Sequence, residues 1–188
     1  MRIIAGSAKG RTLAQPAGVT RPTSDRTREG IFSALESEIG TCEGMTFLDL
    51  FGGTGAVGLE ALSRGASEVI VVEKDVKAAS VCRENYDLIS RDTSGTFSVL
   101  RMSVDSYLDL DASKLPSCDV VYLDPPYEFA NDVIEKILSK IYNRGLLRTD
   151  AVVIVERSSR TAPFTWPAGL AALKERKYGE GAVYFGVS

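Results

Sequence analysis

Five short apolar runs recur along the chain, at residues 47–50, 69–72, 97–100, 120–123 and 152–155. This repeated return to strand-forming sequence constrains the fold more than any other feature. The stretches between the runs carry helical spacing instead. One extends from Val57 to Arg64 and stops at Gly65. A second follows Asp75 with Val76, Ala79, Val81 and Tyr86, and a third reaches from near Glu128 to Tyr142 with Val133, Ile134, Ile137, Leu138 and Ile141. Strands that are apolar at consecutive positions are covered on both faces, and crossover helices supply the cover. The pattern predicts an α/β fold: a mostly parallel twisted sheet with helices on both faces. The C-terminal end differs, because Leu173 to Tyr178, a Gly179-Glu180-Gly181 turn and Ala182 to Val187 read as an antiparallel edge hairpin. At the N-terminal end, residues 1–20 read as a short β-hairpin or arm. Ser24 or Asp25 then caps a helix that presents Ile31, Phe32 and Leu35 and ends at Gly40.

The chain has 188 residues, 44% hydrophobic and 25% charged, enough for the core of one ordinary domain. No apolar run approaches the roughly 20 residues that span a bilayer. The opening Met1-Arg2-Ile3-Ile4-Ala5-Gly6 lacks the apolar core of a secretory signal. There is no histidine, which excludes imidazole acid–base chemistry and Ser-His or Cys-His nucleophiles. Cys42, Cys82 and Cys118 are far apart and have no histidine partner. No metal site is expected, and the three read as buried thiols of a cytoplasmic protein. Chemistry is left to carboxylates, backbone groups, hydroxyls or a bound cofactor. Charge is uneven: Arg2, Lys9, Arg11, Arg21, Arg26 and Arg28 face only Asp25 and Glu29 in the first 30 residues, although the net charge is −3. A basic segment on an acidic body reads either as a phosphate-binding arm or as a solvated polar face.

The first strand runs into Asp49-Leu50-Phe51-Gly52-Gly53-Thr54-Gly55-Ala56-Val57-Gly58, in which Gly53, Gly55 and Gly58 have the GxGxxG spacing. Glycines let the backbone turn tightly and approach a ligand closely. Glu73 ends the second strand, where a carboxylate accepts hydrogen bonds from ribose hydroxyls, and Lys74 follows it. An adenosine cofactor over the ends of the first two strands is the reading, and both NAD and S-adenosylmethionine fit it. Asp49 favours the second, because a carboxylate there repels a pyrophosphate and attracts an ammonium. After the third strand, Ser103 and Val104 overhang the adenine position, with Ser103 the candidate reader of the ring edge. Asp105 reads equally as a helix cap.

The fourth strand delivers Asp124-Pro125-Pro126-Tyr127. Consecutive prolines extend neither a helix nor a sheet ladder, so they make a rigid turn. That turn aims the Asp124 carboxylate and the Pro125 carbonyl at one point, beside the flat ring of Tyr127. An exocyclic amine on an aromatic ring needs two acceptors and a stacking surface of this kind. With its N–H bonds held in plane, its lone pair can face an activated methyl group. Farther on, Phe164 and Trp166 read as a packed edge loop more readily than as an RNA-stacking surface, and Arg157 and Arg160 as a phosphate track or ordinary surface charge.

With these residues in hand, the chain resembles a Rossmann-like class I methyltransferase that uses S-adenosylmethionine, and more narrowly the RsmD family. The narrowing rests on Arg2 to Gly6 with Gly10 and Leu13, on Arg21-Pro22-Thr23-Ser24-Asp25-Arg26-Thr27-Arg28-Glu29-Gly30-Ile31-Phe32, and on Leu48 to Gly55. Gly58-Leu59-Glu60-Ala61-Leu62-Ser63-Arg64-Gly65-Ala66 and Asp124 to Tyr127 complete it. The match covers residues 1–127 well and the tail in outline. Ser33 departs from it, standing where many members have Asn. The resemblance implies methylation of the N2 amine of the guanine numbered 966 in the reference 16S rRNA, within an assembling or assembled small ribosomal subunit. It implies a catalytic set of Asp124, Pro125, Pro126 and Tyr127, and a cofactor set of Asp49, Phe51, Gly52, Gly53, Gly55, Glu73, Lys74, Ser103 and Val104. It makes residues 1–40 an RNA-binding extension, using Lys9, Arg11, Arg21, Arg26 and Arg28, of a methyltransferase domain at residues 41–188. Asp-Pro-Pro-Tyr also occurs in adenine-N6 and glutamine-N5 methyltransferases, so a DNA or protein target is the alternative. A monomer is expected, because no apolar helix is left over.

Overall fold

The computed structural model describes residues 1–15 and 24–188. Arg21, and with it Pro22 and Thr23, lies outside the described residues. Helix α1 (Asp25–Ile39) starts where the Ser24 side chain accepts the Thr27 amide, and it ends at Gly40, whose φ is 79°. Strand β1 (Thr46–Asp49), helix α2 (Ala56–Ser63), strand β2 (Glu68–Val72), helix α3 (Val76–Ile89) and strand β3 (Thr96–Leu100) follow in alternation. Then come α4 (Val104–Leu108), β4 (Cys118–Leu123), α5 (Asn131–Asn143), β5 (Leu147–Ser158), β6 (Ala171–Tyr178) and β7 (Gly181–Val187). The short helix α4 is too brief to show a period, and its cap is Ser103.

The sheet order is β3-β2-β1-β4-β5-β7-β6. The first five strands pair in parallel, whereas β7 runs antiparallel to both β5 and β6. The expected C-terminal hairpin is therefore present, with β7 inserted between β5 and β6. Successive strand residues alternate between two buried clusters, as the period of two requires. Phe47, Val120 and Val152 join the cluster under α1, α2 and α3, and Leu48, Val121 and Val153 join the one under α4 and α5. The connection reverses at β1, which lies between β2 and β4. In open α/β sheets such a switch point opens the ligand crevice at the carboxyl ends of the strands.

The N-terminal hairpin is reduced to one antiparallel bridge, Arg2 to Thr12. Backbone bonds from Ile3 to Arg11, Gly10 to Ile3 and Leu13 to Met1 join its two limbs, and α2 takes up further polar groups. Glu60 accepts the amides of Ile4 and Ala5 at 2.8 and 3.0 Å, and the Ser63 hydroxyl accepts that of Ala8 at 3.0 Å. All eight residues of α2 are buried, since the sheet covers one side and the arm the other. Gly6 makes this possible: its φ is 81°, and a Cβ there would stand 1.8 Å from the Ser63 carbonyl oxygen. Ile3, Leu13, Phe32 and Leu35 share one buried cluster with Phe47 and Val69.

Candidate active site

The crevice is built from the ends of β1, β2 and β4. The amide of Leu50 donates to the Tyr122 carbonyl at 3.0 Å and that of Gly52 to Val72 at 3.1 Å, so the glycine loop is tied to both neighbouring strands. The loop turns within itself through Gly55 N–H to the Gly52 carbonyl at 2.7 Å. Gly55 has φ 78°, and a Cβ there would lie 2.4 Å from Cys82 Sγ, so no larger residue fits. Glu73 holds the loop from the β2 side: Gly53 N–H donates to Oε2 at 2.8 Å and Asp75 N–H to Oε1 at 2.7 Å. Each carboxylate oxygen has a second lone pair, which leaves capacity for ribose hydroxyls. Lys74 beside it is exposed.

Asp49 is 1% exposed, and its Oδ1 has no hydrogen-bond partner among the described residues. Burial pushes its carboxyl up to about 7. The N–H groups of Gly58 and Phe51 act against burial, and the charge of Glu73 acts with it. A buried carboxylate with one unsatisfied oxygen next to a glycine cradle fits a cationic group such as the ammonium of an amino acid. The residues present therefore fit S-adenosylmethionine.

The Asp124–Tyr127 corner follows β4. Pro125 is buried, Asp124 and Pro126 are partly buried, and Tyr127 is 56% exposed. The amide of Phe129 donates to the Pro126 carbonyl at 3.0 Å and closes the turn. Phe129 meets Phe51 edge to face, with ring centroids 5.8 Å apart, so the glycine loop and the proline corner touch. Behind the corner Arg157 donates from Nη2 to the Phe129 carbonyl. Burial lowers its pKa, and the charge of Asp124 raises it again. Nearby, the Tyr122 hydroxyl donates to Glu156 Oε2 at 2.7 Å in the core.

Several expectations change in this setting. Ser103 is the N-cap of α4: its hydroxyl accepts the Ser106 amide at 3.1 Å and pairs with the Ser106 hydroxyl at 2.8 Å. Val104 opens the helix and is buried. Asp105 sits in the first turn and is not the cap. Arg28 requires a correction. It is fully buried, 3.5 Å from Glu60 and 3.0 Å from Asp25, with Nη2 also donating to the Arg2 carbonyl. Its charge is used inside the fold and is not offered to RNA. Arg157 is likewise buried, which removes it from a phosphate track. Lys9, Arg11 and Arg26 are exposed, and Arg11 forms an ion pair with Asp92 at 2.8 Å. Phe164 is buried among Trp166 and Tyr184, as a packed edge loop requires.

Asn85 and Phe129 were missed in the sequence. Asn85 had a signal: it shares a helical face with Ala78, Cys82 and Ile89, where a lone polar residue is out of place.

An open sheet whose seventh strand is inserted antiparallel between the fifth and sixth, with its crevice at β1 and β4, is the Rossmann-like fold of class I methyltransferases. Sequence comparison narrows the class. A family model described as "Conserved hypothetical protein 95" matches residues 1–187, and the chain belongs to this family, the RsmD family. "Ribosomal RNA small subunit methyltransferase D" of Haemophilus influenzae is 34% identical over 181 residues, spanning 95% of this chain and 89% of that protein. The Escherichia coli K12 protein of the same description is 32% identical over 183 residues, 97% of this chain and 87% of that one. The solved structure described as "Putative methyltransferase yhhF from Escherichia coli" superposes with a TM-score of 0.84 at 28% identity, covering 100% of this chain and 97% of that one.

Proposed function

We propose that this chain transfers a methyl group from S-adenosylmethionine to the exocyclic N2 amine of a guanine in small-subunit rRNA, at the position corresponding to 966. The observation that carries the reading is the contact of two devices, a glycine loop beside a buried carboxylate and a rigid Asp-Pro-Pro-Tyr corner, joined through Phe51 and Phe129. The named small-subunit rRNA methyltransferases among its relatives support the same substrate class. When bound, S-adenosylmethionine supplies an electrophilic methyl on a sulfonium. Asp49 attracts the ammonium, Glu73 accepts the ribose hydroxyls, and Phe51, Gly52, Gly53, Gly55, Lys74, Ser103 and Val104 border the nucleoside. A dinucleotide is disfavoured, because its pyrophosphate would lie against Asp49.

At the corner, the Asp124 carboxylate and the Pro125 carbonyl accept the two N–H bonds of the amine, and Pro126 fixes the direction of the turn. Tyr127 is exposed enough to stack on a splayed base, a contact worth about 1–3 kcal/mol. That is comparable to the few kcal/mol needed to extrude a base. A carboxylate is too weak a base to deprotonate a neutral arylamine. After methylation the nitrogen is cationic, and Asp124 or water takes the proton. The rate then rests on positioning. Residues 1–40 form the RNA-facing extension of the methyltransferase domain at 41–188. Lys9, Arg11, Arg21 and Arg26 meet phosphates of the small subunit, and the enzyme acts as a cytoplasmic monomer.

The test is mapping of the methylated nucleotide in small subunits from a strain lacking the gene, with and without added protein. Restored N2-methylguanine at the position corresponding to 966 is expected. Restoration at an adenine, or methyl transfer to DNA or to a protein glutamine instead, overturns the substrate.

A further inference from the structure

We propose that Asn85 is a positioning residue that couples cofactor binding at the glycine loop to the basic N-terminal arm. The inference rests on the methyltransferase reading above and adds to it a single side chain shared by both sites. Asn85 is fully buried on α3, on a face otherwise formed by Ala78, Ala79, Cys82 and Ile89. A buried amide is costly unless its polar atoms are paired, so the pairs it makes are informative. Its Oδ1 accepts the Ala14 amide at 2.7 Å. Its Nδ2 donates to two carbonyls on different segments, that of Ala14 at 3.2 Å and that of Thr54 at 3.0 Å.

Thr54 lies between Gly53 and Gly55 at the tip of the cofactor loop. Ala14 closes the arm that carries Lys9 and Arg11. The side-chain amide is planar, so its two N–H bonds keep a fixed angle to one another. A shift of Thr54 that rotates this amide changes its geometry with Ala14, and the reverse holds. The surroundings sharpen the constraint. Cys82, one turn earlier on α3, presses on Gly55 so closely that no Cβ fits between them. Asp92, beyond the end of the same helix, pairs with Arg11 at 2.8 Å. Leu13 is buried beside Ala14. Arm, helix and glycine loop therefore meet at one residue, with no contact between Asn85 and the Asp124 corner needed.

Coupling of this kind is reciprocal: whatever steadies Thr54 steadies Ala14, and phosphates held by Lys9 and Arg11 tighten the hold on the cofactor. Two measurements test it. In the wild-type protein, hydrogen exchange is followed with and without S-adenosylhomocysteine. Slower exchange is expected both in the glycine loop and at the Ala14 amide; protection confined to the loop overturns the proposal. This measurement needs no variant.

The second is affinity for unmodified small ribosomal subunits with and without S-adenosylhomocysteine. The wild type is expected to bind about fivefold or more tightly with the ligand, the lower end of ordinary coupling. In Asn85→Leu, close in volume but without hydrogen bonds, that ratio falls toward one. A folded Asn85→Leu protein that keeps the wild-type ratio contradicts the proposal. A wild type that binds neither S-adenosylhomocysteine nor small subunits overturns the functional reading beneath it, a result distinct from an unchanged ratio.

Discussion

Arg28 and Glu60, both fully buried, face each other at 3.5 Å between α1 and α2. Glu60 also accepts two amides of the N-terminal arm and the Nε of Arg64 at 2.9 Å. One carboxylate thus fastens the arm and both helices. Removing one partner of a buried ion pair leaves the other charge uncompensated, which costs about 3–5 kcal/mol. Glu60→Ala is expected to lower stability by about that amount in urea unfolding. A loss under about 1 kcal/mol, the scale of a surface pair, would contradict this account.

Arg26 and Arg28 are separated by one residue and have opposite fates. Arg26→Ala is expected to leave thermal stability unchanged while reducing the salt dependence of RNA binding by about one phosphate's share. Arg28→Ala is expected to lower the melting temperature by several degrees. Thermal unfolding together with RNA titration over a salt series separates the two.

Asp49 predicts a pH dependence. Its folded-state pKa, about 7, lies above the ordinary carboxylate value. The folded chain therefore binds the extra proton, and the contribution of Asp49 to stability declines as pH rises from about 4 to about 7, then levels off. Asp49→Asn is expected to raise stability at pH 8 by on the order of 1–3 kcal/mol, measured by urea unfolding. On the proposed reading, binding of S-adenosylhomocysteine has the opposite requirement, since there its ammonium is met by the charged carboxylate. Its affinity is expected to fall as pH drops below 7, approaching about tenfold per unit. Calorimetry on Asp49→Asn should find weak binding without that slope.

How much of this was legible beforehand follows from the range of the interactions. The strands announced themselves because a doubly covered strand is apolar at every position, as Val69 to Val72 is. The caps at Ser24 and Gly40 and the glycine loop were readable because their geometry is local. The burial of Arg28 is not legible, because an arginine near other basic residues looks like surface until its partner is known, and Glu60 lies 32 positions away. The N-cap role of Ser103 rests on Ser106, three residues on, and is equally local. The contact between Phe51 and Phe129 depends on two distant loops meeting, which no local pattern encodes.

Tyr127 supplies a stacking surface in this account, and its hydroxyl is incidental. Tyr127→Phe should retain activity, and Tyr127→Ala should lose roughly 1–3 kcal/mol of transition-state stabilisation. The comparison is made in kcat/KM on unmodified small subunits. Equal losses in both variants would assign the role to the hydroxyl instead.

The most direct measurement is single-turnover methyl transfer by Asp124→Ala on unmodified small subunits, alongside S-adenosylhomocysteine binding by the same protein. The account predicts a transfer rate reduced by at least about a hundredfold, with S-adenosylhomocysteine binding close to wild type. Transfer at the wild-type rate would contradict it, because an amine that needs no acceptor at Asp124 is not held by the proline corner.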